Sequence, residues 1–156
     1  MSRRSFNRLV KTSFVLSELR SDLEAWCASY TKAFLAWDAD AIAAHWAFPA
    51  LTTQAGRSFV FKSVEHFATN TKRLLDFYKS QQVFQVERVV TDLMPLSETA
   101  VSLKVSDRMS AADGTEIATW QAAYVLQKRD QSWRAIAAIA DGEVAAWAAR
   151  GTPLGG

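Results

Sequence analysis

Four stretches in the second half of the chain, residues 84–91, 99–109, 115–128 and 133–140, read as β-strands separated by short links. The links are Pro95-Leu96-Ser97, Ala112-Asp113-Gly114 and Arg129-Asp130-Gln131-Ser132, all turn-compatible. Links this short join antiparallel neighbours. A chain that forms such a meander must cover one of its faces, and the first half carries helical patterns to do so. Ser21, Asp22, Leu23 and Glu24 form a capping box, a helix-start signal. Trp26, Tyr30, Phe34, Trp37 and Ala41 then recur at helical spacing and make one apolar face. Asp38 or Asp40 is expected to cap a second, shorter helix through Ile42, His45 and Trp46, ending at Pro49. Residues 50–62 hold a strand pair around Gly56. Ser63 caps a third helix with Val64, Phe67, Thr71, Leu74, Leu75 and Tyr78 on its buried face. Everything after residue 82 reads as strand. Helices first and a meander after predict an α+β domain with its helices on one face of a curved sheet.

At 156 residues, half of them apolar, the chain suits one globular domain with one core. The formal charge of +2 is unevenly spread. Arg3, Arg4, Arg8 and Lys11 precede the first acid, Glu18, so the remainder is slightly acidic and the pI of 8.8 belongs to the N-terminus. A nucleic-acid-binding body with a basic stripe is not supported. Phe6, Leu9, Val10 and Phe14 fall at helical spacing beside the basic residues, which suits either a surface- or partner-binding helix or a frayed extension. The expected organisation is a basic, loosely ordered arm over residues 1–16, one domain over 17–149 and a flexible tail over 150–156. No apolar run approaches the length of a membrane span, and no secretory signal is evident, so a cytoplasmic location is expected. The single cysteine, Cys27, fits a reducing compartment.

The order of elements, with Tyr30 through Asp40 (YTKAFLAWDAD), His45 through Pro49 (HWAFP), Asp113-Gly114 before the long strand, Tyr124-Val-Leu-Gln-Lys-Arg and Ser-Trp133-Arg134-Ala-Ile136, resembles the NTF2-like superfamily over about residues 18–141. That superfamily includes ketosteroid isomerase, scytalone dehydratase and the SnoaL-like cyclases. The resemblance implies a cystatin-like cone, a mostly antiparallel sheet wrapped round a long helix, with an apolar cavity open at one end and commonly a dimer. Aligned without gaps on ketosteroid isomerase, its donor tyrosine falls on Tyr30 and its aspartate pair on Asp38 and Asp40. The catalytic base position then falls on Gln54. An amide does not abstract a proton from carbon at neutral pH. Residues 117–127 also hold no acid to act as second oxyanion donor. Steroid isomerase chemistry is therefore not expected.

The remaining residue patterns narrow the site. Val101, Leu103, Val105 and Asp107 share a strand face by period two, which makes Asp107 either a desolvated acid–base group or a hydrated residue at the strand end. Trp120 and Tyr124 share a face with Ala118, Ala122 and Leu126, forming either a cavity wall or ordinary core. His45 lies at the cavity mouth or edges the core. Cys27, His45 and His66 are too far apart for a metal site, and no metal or cofactor is expected. Nucleophile-elbow, P-loop and dinucleotide-binding motifs are absent. The expectation is a small-molecule-binding domain with Tyr30, Gln54, Asp107, Trp120 and Tyr124 lining an apolar pocket. Any chemistry would be cofactor-free isomerisation, cyclisation or dehydration, with Tyr30, Asp107 or His45 as catalytic candidates. The competing expectation is a non-enzymatic dimerising module with a filled core. Ile117, Thr119, Gln121, Ala123 and Val125 on the outer face suggest a homodimer.

Overall fold

The structure is a computed structural model that describes the backbone of residues 3–154 and the side chains of residues 15–154. Its element order is α1 (Arg3–Leu35), α2 (Ala39–Ala43), β1 (Trp46–Gln54), β2 (Arg57–Phe61), α3 (Val64–Ser80), β3 (Gln85–Pro95), β4 (Ala100–Ser110), β5 (Glu116–Arg129), β6 (Ser132–Ile139) and α4 (Asp141–Ala149). The six strands form one curved sheet in the order β2-β1-β6-β5-β4-β3, an α+β architecture. β3 through β6 form the expected antiparallel meander, and β1 joins it by a parallel pairing with β6.

Local chemistry explains most of these elements. Asp38 caps α2 by accepting the amide of Ala41 at 3.0 Å, and Ser63 caps α3 by accepting that of His66 at 3.2 Å. The β1–β2 turn needs two residues with positive φ, supplied by Ala55 at 51° and Gly56 at 76°. The inner face of β4, from Val101 through Leu103, Val105 and Asp107 to Met109, is buried at every second position.

Four local expectations are corrected. The capping box at Ser21–Glu24 starts no helix, because α1 runs through it without a break and its amides stay in the helical ladder. The charged arm over 3–16 is thus continuous backbone with α1, while the side chains of Phe6, Leu9, Val10 and Phe14 lie outside the described residues. The second helix stops at Ala43, and Trp46 through Pro49 belong to β1, where pairing with β6 wins over helical propensity. Val64, the first residue of α3, is exposed rather than on its buried face. The chain also does not finish in strand, since α4 follows β6.

α1 packs along β3, α2 on α3, and α4 on β5. β6 pairs with β5 only from Ala123 onward, so the earlier part of β5 lacks a strand partner on that edge. α4 occupies the space: Arg150 donates to the carbonyl of Ile117 at 3.0 Å, and Gly142 lies against the backbone of Gln121. Trp147, fully buried, plugs the end of the core against Phe77, Tyr78 and Trp120.

Candidate functional site

The sheet curves around α1 and α3 without filling the space between them. A cavity of about 570 Å³ remains on its inner face. β1 contributes Thr52 and Gln54, β4 Asp107 and Met109, and β5 Trp120 and Tyr124, with Ala138 behind them on β6. Tyr30 and Phe34 of α1, Phe77 and Tyr78 of α3 and Glu143 of α4 close the other sides, and Leu154 of the C-terminal segment returns to the wall. Ala138 is the β6 residue on this wall, and a bulkier side chain there would project into the space. A volume of this size is typical of small-molecule pockets.

At the floor, Arg88 and Asp107 form a buried two-pronged ion pair. Nε donates to Oδ1 at 2.7 Å and Nη2 to Oδ2 at 2.8 Å. Strand register places them, because residue 88 stands directly opposite residue 107 on the β3–β4 ladder. Arg88 also donates to the hydroxyl of Tyr124 at 2.9 Å and stacks over the rings of Tyr30 and Tyr124, each 4.9 Å from the guanidinium carbon. Burial works against its charge, but Tyr124 and Asp107 more than offset that and hold Arg88 protonated. Both oxygens of Asp107 are thereby occupied.

Tyr30 accepts a hydrogen bond from the indole N–H of Trp46 at 3.0 Å. Among the described residues its own proton has no acceptor, so the hydroxyl retains a donor next to the cavity. Burial pushes Tyr30 up to about 12, which keeps that proton in place at neutral pH.

Glu143 is the cavity's other carboxylate. Its Oε2 accepts a short hydrogen bond from the hydroxyl of Tyr78 and a second, at 3.1 Å, from the indole of Trp147. No hydrogen bond from the described residues reaches Oε1. Desolvation raises Glu143 from 4.5 to about 6, and the bonds from Tyr78 and Trp147 offset it only in part. The site therefore combines a fixed hydroxyl donor with a carboxyl group that changes charge just below neutrality.

The five residues expected on the cavity wall, Tyr30, Gln54, Asp107, Trp120 and Tyr124, all line it. His45 is elsewhere: Nδ1 donates to the carbonyl of Ala41 at 2.8 Å and Nε2 meets the hydroxyl of Ser29 at 2.8 Å, tying α2 to α1. Arg108 faces the other side of β4, 3.6 Å from the carboxylate of Glu116. Sequence reasoning missed Arg88 and Glu143. Arg88 had a signal, a cation at period two between Val86 and Val90. The signal for Glu143 was its place in the first turn of an alanine-rich run, a helix-start pattern. Among the described residues there is no cluster of three or more histidine, cysteine or acidic side chains fit to hold a metal ion.

A curved sheet closed on one face by helices round a cavity defines the cone-shaped α+β class. The chain belongs to the NTF2-like superfamily, for residues 20–143 match the family described as NTF2-like protein (DUF6841). Solved structures agree on the fold. An NTF-2 like protein of unknown function from Shewanella oneidensis is 12% identical, with a TM-score of 0.61 over 76% of this chain and 95% of that one. A domain of unknown function with a cystatin-like fold from Nostoc punctiforme is 17% identical, with a TM-score of 0.61 over 79% of this chain and 74% of its own. A ketosteroid isomerase-like protein from Erwinia carotovora atroseptica is 19% identical, with a TM-score of 0.57 over 77% and 92%. No curated protein sequence matches the chain.

Proposed function

We propose that the protein is a small-molecule-binding domain that holds one largely apolar, partly polar ligand in the cone cavity. The observation that carries this reading is that three polar groups on the cavity wall, the hydroxyl of Tyr30, Oε1 of Glu143 and the buried Nη1 of Arg88, keep hydrogen-bonding capacity that no described residue uses. Tyr30, Gln54, Asp107, Trp120 and Tyr124 form the binding wall, with Arg88 and Asp107 as its rigid floor. A filled dimerising module would have no use for these free groups.

Cofactor-free isomerisation, cyclisation or dehydration of the SnoaL-like kind is a second reading, favoured by the carboxyl of Glu143 at about 6. In it Glu143 moves the proton and Tyr30 polarises an oxygen. Asp107 is then a positioning residue, since Arg88 holds both its oxygens, and His45 takes no part. We further propose that the domain works as a homodimer through the outer sheet face, in the cytoplasm, where its free and buried Cys27 stays reduced.

The test is a cavity-filling variant. Ala138 is buried on the cavity wall, and Ala138→Phe places a ring inside it. Ligand-detected NMR against a mixed library of small aromatic compounds is expected to find binders to the wild type that the variant loses while its circular dichroism stays unchanged. Binders that Ala138→Phe retains would place binding outside the cavity.

A further inference from the structure

We propose that the cavity selects a cation: its ligand is a small aromatic or alicyclic amine whose ammonium group sits against the free oxygen of Glu143. The inference rests on the ligand-binding reading of the cavity and adds the chemistry of what enters it.

Charge matching comes first. Arg88 is neutralised by Asp107 at 2.7 and 2.8 Å, while Glu143 lies within ion-pair distance of no basic group among the described residues. Arg73, the other cation on the lining, is exposed on α3. An ionised Glu143 therefore leaves the inner cavity with one uncompensated negative charge. An anionic ligand would find a free donor in Nη1 of Arg88 but would bring a further negative charge to a site whose buried cation Asp107 already neutralises. A neutral ligand would strip water from Oε1 and give nothing in return for the charge. An ammonium supplies both a donor and the missing charge.

The walls favour the same ligand. Phe34, Phe77, Tyr78 and Trp120 line the same cavity as Glu143 and offer it ring surfaces, which attract cations. The ionisable groups around Glu143 are Tyr78 from α3, Asp107 from β4 and Arg88 from β3, together with Tyr30 of α1 and Tyr124 of β5, which stay neutral. None of them other than the already paired Arg88 is positive. Since Glu143 titrates at about 6, selection for a cation should fade as the pH falls through that value.

Three probes share an indole ring and differ in charge: tryptamine, indole-3-ethanol and indole-3-acetate. Calorimetric or ligand-detected NMR titration at about pH 7.5 is expected to show tryptamine bound at least about tenfold tighter than indole-3-ethanol, with indole-3-acetate weakest. At about pH 5, where roughly nine-tenths of Glu143 is protonated, that preference should shrink about tenfold. Glu143→Gln keeps an oxygen for Tyr78 and Trp147 to bond and should abolish the preference for tryptamine over indole-3-ethanol at both pH values. Equal or tighter binding of indole-3-ethanol by the wild type would overturn the inference while the pocket reading stands. So would a tryptamine preference that survives in Glu143→Gln. If none of the three binds up to about 1 mM, the inference and the pocket reading fail together.

Discussion

Arg88 and Asp107 contribute to the fold chiefly through what either would do alone. A buried pair with this geometry roughly offsets its own desolvation, whereas a lone buried charge costs about 3–5 kcal/mol. Arg88→Met is thus expected to lower unfolding free energy by about that amount. The double change Arg88→Met with Asp107→Leu should recover most of it, a non-additivity that urea unfolding of the four proteins in the cycle would measure. Additive losses would mean that the two residues act separately. Glu143 makes a prediction of the opposite kind. Its carboxyl is raised in the folded state, so the folded chain holds the proton more tightly than the unfolded chain. Its contribution is fully present below about 4.5, the ordinary value, and is lost as the pH rises through about 6. The loss amounts to about 2 kcal/mol. Unfolding midpoints of the wild type relative to Glu143→Gln should accordingly fall between pH 4.5 and 6 and level off above that; a constant difference would count against the shifted carboxyl.

The least conspicuous helix does the most for the cavity. α4 is nine residues long, yet it covers the unpaired edge of β5, carries Glu143 and seats Trp147. Its approach to β5 depends on Gly142, where an added Cβ would lie 2.2 Å from the carbonyl oxygen of Gln121. A backbone atom held in a sheet cannot yield that space, so Gly142→Ala must push α4 away. We expect a loss of about 1–3 kcal/mol and faster amide exchange in the first half of β5. Trp147 fluorescence should shift toward that of a solvated indole at the same time. Unchanged exchange over residues 116–122 would show that α4 does not guard this edge.

At the scale of the whole molecule, the sheet has two faces of different character. Thr52, Ala138 and Tyr124 stand side by side across β1, β6 and β5 and face the cavity. One residue along, Val60, Leu51, Ala137 and Val125 form a row on the outer face, and Ile139 lies beside it. Val60 and Ile139 are about half exposed. An apolar row across four strands is what a second copy would cover. Sedimentation at micromolar concentration is expected to give a species near twice 17.3 kDa, and Leu51→Glu with Ile139→Glu should reduce it to the monomer without unfolding it. A wild-type monomer would remove the dimer from the proposal. Among the described residues no helix is long and apolar enough to cross a membrane.

What the amino-acid sequence determined by itself is local. The meander, the Ser63 and Asp38 caps, the turn at Gly56 and the alternation that turns Asp107, Trp120 and Tyr124 inward all follow from neighbours a few residues apart, where backbone sterics and period-two or helical repeats act. Even here tertiary context prevailed twice: the capping box at Ser21 was absorbed into a longer helix, and Trp46 was taken into a strand by its pairing with β6. The functional arrangement was decided only by the fold. Arg88 meets Asp107 through strand register, Tyr30 reaches Arg88 and Trp46 through the packing of α1, and Glu143 enters the cavity because α4 fills an edge that β6 leaves open. Each is a contact between residues distant in sequence, fixed by the twist, register and closure of the sheet, and no local pattern encodes those.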